Sequence, residues 1–210
     1  METVRKEHLL NIFAKTVSVV FHPLFMPVYG ILIIFSAPTL FGYLPFSVKR
    51  LLLLIVMINN VLLPLSLLPY LRYRNHITSW AIDNRRERVL PLFIATILYA
   101  ATSYIIVRYP VPGFIKSFIL GVFIISLLVT VMNMWWKISI HSAAAGAVMA
   151  LVLVLSLKMN SPLIWPLMIV IILAGLILSS RLKLNAHKPS EVWSGFFLGC
   201  SLLALLLWFF

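Results

Sequence analysis

Long apolar runs, separated by short polar or proline-rich breaks, set the pattern of this chain. They cover about 17–40, 51–71, 89–107, 114–136, 143–157, 163–178 and 192–210. A helix needs about 20 apolar residues to cross the hydrocarbon of a bilayer. The pattern predicts an all-α fold, a bundle of six or seven spanning helices forming one membrane domain over 1–210. Pro23 and Pro27 should kink the first span, and Pro64 and Pro69 lie inside the second. The first run is too long for a signal-peptide core and is expected to stay as a helix.

Polar segments follow the second, fourth and sixth runs: about 72–88, 137–142 and 179–191. Two crossings separate each from the next, so all three should share one membrane face. The tight connections at Lys49-Arg50, 110–113 and 158–162 fall on the other. Nearly every residue able to do chemistry is therefore expected at one end of the bundle.

Composition narrows the partners. Hydrophobic residues make up 62% of the 210 and charged ones only 10%, with a mean hydropathy of +1.07. Such a chain cannot clothe a water-facing surface. The seventeen Lys and Arg face five acids, yet the short segments between spans cannot build a nucleic-acid face. Membrane lipids are the expected partners. Cations at helix ends anchor to head groups, and their excess on the face with the N-terminus puts that face in the cytoplasm. A bacterial inner membrane is the expected location. Cys200, the single cysteine, reads as packing.

Scarce acids exclude some chemistry. Outside the tail only Asp83, Glu87 and Glu191 remain, with no Asp-rich motif, no HExxH and no CxxC. No metal or other cofactor is expected. Positive charge for a phosphate would come from three clusters: Asp83 to Arg88, Lys137 to Ser142 and Ser180 to Glu191. Arginine presents a planar fork that matches phosphate oxygens. His141 and His187 can attack or carry protons near neutrality. Glu191, four residues after His187, is placed to orient that ring.

The third cluster resembles the last signature of the type 2 phosphatidic acid phosphatase superfamily: Ser-Arg, five residues, His, three residues, Asp. Here it reads Ser180-Arg181, five residues, His187, three residues, Glu191. The family's Pro-Ser-Gly-His is matched at Ser139 and His141 of Ile138-Ser139-Ile140-His141. Of its Lys, six residues, Arg-Pro, only Arg88 fits, with Ala81 and Val89 at the Lys and Pro places. The resemblance implies His187 as the nucleophile that forms a phosphohistidine and Glu191 as its orienting partner. It implies His141 as proton donor to the leaving group and then activator of water. Arg181, Arg88 and Arg85 would clamp the phosphate, Ser139 would donate a hydrogen bond, and Lys137 would stand in for the missing lysine. The substrate would be a phosphorylated lipid, either a lipid phosphate or a prenyl diphosphate.

Other readings stay open. The basic face alone fits a non-catalytic protein that binds anionic head groups or a partner. A transporter would want an intramembrane acid or paired broken helices. His22 either breaks a helix or walls a cavity. Asn59, Asn60 and Asn133 suit interhelical hydrogen bonds, and Ala143 to Gly146, with Gly195 and Gly199, form small faces for close helix packing.

Overall fold

The computed structural model describes residues 2–78, 82 and 84–209. They form an all-helical bundle in which seven helices are long and apolar enough to cross a membrane. In chain order the elements are α1 (Glu2–Val20), α2 (Met26–Ser36), α3 (Phe46–Met57), α4 (Leu63–Tyr73), α5 (Arg85–Arg108), α6 (Gly113–Met132), α7 (Ile140–Lys158), α8 (Ile164–Lys183) and α9 (Pro189–Phe209). α1 and α2 make up the first span, and α3 and α4 the second.

Two prolines shape the paired helices. Pro23 follows His22 at the break between α1 and α2, where a short 3-10 turn spans Pro23–Phe25. α3 passes into α4 through a π turn at Ile58–Leu62. Pro64 has no N–H to give the Asn60 carbonyl and its ring crowds that carbonyl, so a wider turn just before it relieves the clash. The first span also starts earlier than the apolar run: nothing between Glu2 and Val20 is Gly or Pro, so helix extends through polar residues.

α7 is the hub. Ala150, Leu151, Val152 and Leu155 are fully buried, and α7 packs on α2, α6, α8 and α9. Its contact with α9 is backbone-close. A Cβ on Gly199 would overlap the Ala143 carbonyl, and one on Gly146 would overlap the Phe196 carbonyl. In lipid such close approach gains van der Waals contact that no hydrophobic force supplies. Large apolar side chains such as Leu54, Phe93, Ile172 and Phe197 point outward, as a lipid-facing surface requires.

Hydrogen bonds join the predicted clusters at one end. Asn133 Nδ2 donates to the Arg85 carbonyl at 3.1 Å, and the Ser139 N–H donates to the Glu191 carbonyl at 3.1 Å. At the other end Ser161 Oγ donates to the Pro38 carbonyl at 3.1 Å, and Phe41 stacks on Phe114. Within the bundle, the side-chain Oδ1 of Asn60 accepts from Thr102 Oγ1 at 2.7 Å.

Candidate functional site

Helix capping organises the His187 side of the site. Pro189 opens α9 at a position where a missing N–H costs nothing. Glu191, two residues on, turns back so that its Oε2 accepts from the Lys188 N–H at 3.2 Å. The same oxygen lies 2.8 Å from His187 Nδ1. A carboxylate oxygen only accepts, so Nδ1 carries the proton and Nε2 keeps its lone pair. Arg88 Nη1 approaches Nε2 at 3.4 Å. The junction between α8 and α9 thus presents an oriented imidazole with its open nitrogen beside a guanidinium.

Burial pulls the His187 pKa down, and the Arg88 and Arg181 guanidinium groups add to this. The hydrogen bond and charge of Glu191 oppose it, and the result is about 4. At neutral pH the ring is uncharged, the form in which Nε2 is a nucleophile.

Three other helices bring their ends to the same place. Asn84 caps α5 by accepting from the Arg86 N–H at 3.1 Å. One turn in, Arg88 is buried and its Nε donates to the Ile82 carbonyl at 2.7 Å. α7 begins after Ser139, whose Oγ accepts from the Ser142 N–H at 3.4 Å and from the Ser142 hydroxyl at 2.9 Å. His141 follows in the first turn and bonds the Ser18 carbonyl through Nε2 at 3.1 Å. Arg181, buried in the last turn of α8, reaches Ser18 Oγ at 3.4 Å through Nη1.

Arg88, His141, Arg181 and His187 all line one cleft of about 760 Å³. Away from them the lining turns apolar, with Leu68, Pro91, Val122 and Val148. A charged end continuous with an apolar trough matches a molecule with an anionic head and a hydrocarbon tail.

The structure brings together His187, Glu191, His141, Arg181 and Arg88, with Glu191 behind the cleft wall. It does not bring the other three candidates to that wall. Ser139 is buried as the cap of α7, its Oγ engaged by Ser142. Arg85 stands in the first turn of α5, where its carbonyl ties Asn133, and Lys137 is half-buried in the α6–α7 junction. Asp83 and Ala81 lie outside the described residues. Glu87 turns away to accept from the Thr78 N–H at 2.8 Å. His22 fills both roles considered for it: its Nδ1 accepts from the Leu24 N–H at 3.4 Å, and its ring lines the cleft. Lys15 and Ser18 also line the cleft and did not stand out in the sequence. Their spacing with His22, three then four residues, was the available signal, since it sets all three on one helix stripe.

The fold and site define a membrane-embedded protein with a cationic, two-histidine centre at one end. The family model of the PAP2 superfamily matches residues 126–210. This agrees with the resemblance in the second and third signatures, the first at Arg88 lying outside the matched residues, and the chain is consistent with a type 2 phosphatidic acid phosphatase superfamily member. The coarse function that accompanies the match is hydrolysis of a phosphoric ester. The curated proteins and the solved structures gave no match.

Proposed function

We propose that this protein removes phosphate from a lipid phosphate or prenyl diphosphate without a metal, through a phosphohistidine. One observation carries the reading: a neutral His187, oriented by Glu191 at 2.8 Å, shares a cleft with His141 and two buried arginines, and that cleft continues into an apolar trough. The lipid tail lies in the trough and the head group meets Arg88 and Arg181. His187 Nε2 attacks phosphorus, the P–N bond forms and the P–O bond to the leaving group breaks. His141 takes a proton from the protonated phosphate group and passes it to the leaving oxygen. Water then attacks phosphorus, the P–N bond breaks, and His141 takes a proton from the water and returns it to the free phosphate as it departs. Arg88 and Arg181 hold the non-bridging oxygens and offset their charge in both steps. The twelve Lys and Arg on the site face, against five opposite, favour a cytoplasmic site.

The test is phosphate release by the purified protein in detergent with EDTA, across several lipid phosphates and a prenyl diphosphate, beside His187→Ala. Release by the wild type and not by the variant supports the enzyme. No release across the panel, with head-group binding intact, supports the non-catalytic lipid binder instead.

A further inference from the structure

The break after α1 leaves carbonyl groups that the helix itself does not satisfy. The Val17 carbonyl accepts from the Phe21 N–H at 2.9 Å and the Val19 carbonyl from the His22 N–H at 3.3 Å. The Val20 carbonyl accepts from the Tyr29 hydroxyl at 2.9 Å. In a continued helix the His22 N–H would serve Ser18. Here it has turned to Val19, and the Ser18 carbonyl accepts from His141 Nε2 at 3.1 Å. The Ser18 hydroxyl takes Arg181 Nη1 at 3.4 Å. Ser18 is itself buried. His22 packs edge-on against His141, with ring centroids 5.3 Å apart and planes at 85°. The first span, which precedes the residues matched by the family model, thus touches a proton carrier on α7 and a phosphate clamp on α8.

We propose that Ser18 is a positioning residue of this site, holding His141 through its carbonyl and Arg181 through its hydroxyl. This rests on the phosphatase reading and adds a part that the signatures do not contain. A carbonyl oxygen only accepts, so the contact fixes the His141 proton on Nε2 and leaves Nδ1 with the lone pair. Nδ1 is then the atom that accepts a proton, from the phosphate group or from water, before passing it on. The break at His22-Pro23 is what opens the Ser18 carbonyl to this role. A straight first helix would satisfy that carbonyl internally and leave His141 without its anchor.

Three variants of the full chain in detergent test this, each checked for wild-type melting behaviour. Ser18→Ala removes the hydroxyl, Ser18→Thr keeps one, and Pro23→Ala with Pro27→Ala lets the helix run on. Lipid-phosphate hydrolysis, orthovanadate binding and histidine-selective 15N NMR are the readouts. Ser18→Ala should lose about tenfold in orthovanadate affinity and in kcat/KM, the scale of one charge-assisted hydrogen bond. Ser18→Thr should recover to within about threefold of wild type. The double proline variant should shift His141 away from a pure Nε2–H tautomer and lower kcat more than it raises KM. Wild-type orthovanadate affinity in a folded Ser18→Ala protein, or an unchanged His141 tautomer in the double variant, would overturn the proposal. If the wild type binds orthovanadate but hydrolyses no lipid phosphate, the phosphatase reading fails, and binding and NMR still decide whether Ser18 holds the two side chains.

Discussion

The two ends of the bundle both carry cations, and they use them in opposite ways. Away from the site, Lys49 donates to the Gly42 carbonyl and leans over the Phe35 ring. Lys116 donates to the Val107 carbonyl at 3.0 Å, and Arg50, Arg108 and Lys158 are exposed. Each covers a nearby helix end or meets water and head groups, as anchors do. At the site end Arg88 and Arg181 are buried, and they face a cleft with two imidazoles. Charge taken from water is costly unless it is paired or put to use. What separates a site from a belt here is thus the direction and burial of the cations, more than their number.

The sharpest break of that comparison is His187→Ala, which removes the proposed nucleophile. Turnover should fall by about 10⁴-fold or more, measured as phosphate release under excess lipid substrate. Next come the two proposed clamps. Arg88→Ala or Arg181→Ala should each cost about 10²–10³-fold in kcat/KM, the effect of losing one donor to developing phosphate charge. Lys49→Ala and Lys116→Ala at the far end should stay within about twofold, since neither side chain lines the cleft. Equal losses at both ends would erase the distinction between them.

The acidic limb of kcat/KM sharpens it further, because that limb reports groups on the free enzyme. In the proposed mechanism the uncharged His187 ring attacks, so activity should fall as pH drops through its pKa, about 4 in the intact site. Arg88 helps hold that value down. Arg88→Ala should therefore move the limb upward, toward the ordinary histidine range near 6.5. A limb that stays put would mean that the guanidinium does not act on this ring.

Packing comes next in size. Gly199→Leu should destabilise the α7–α9 contact by about 1–3 kcal/mol or more, read as a lower melting temperature in detergent. Its neighbour is backbone, the Ala143 carbonyl, which cannot step aside. Activity should fall with stability, since α7 and α9 carry His141 and Glu191. The smallest effect belongs to Ser139→Ala: a lost helix cap of about 1 kcal/mol, with kcat reduced about threefold or less. A loss as large as that of an arginine would return Ser139 to the phosphate.

Much of this was legible in the order of residues. Apolar run length set six or seven crossings, because a bilayer accepts only helices of sufficient length with their backbone satisfied, and seven helices among the described residues are long and apolar enough. Counting crossings put the three polar junctions on one face. The spacing of Arg181, His187 and Glu191 marked one half of the site, since a carboxylate four residues from an imidazole lies within reach. Asn60 and Asn133 bond between helices, as their polarity inside spans implied. The tertiary structure alone decided which polar residues face the cleft. Ser139 matched a signature yet caps a helix, and Arg85 stands one turn before Arg88 in α5, yet only Arg88 lines the cleft. Ser18 and Lys15 joined the site across more than a hundred residues of chain. No local pattern encodes that meeting; it follows from the proline break in the first span and from the way α7 and α8 pack beside it.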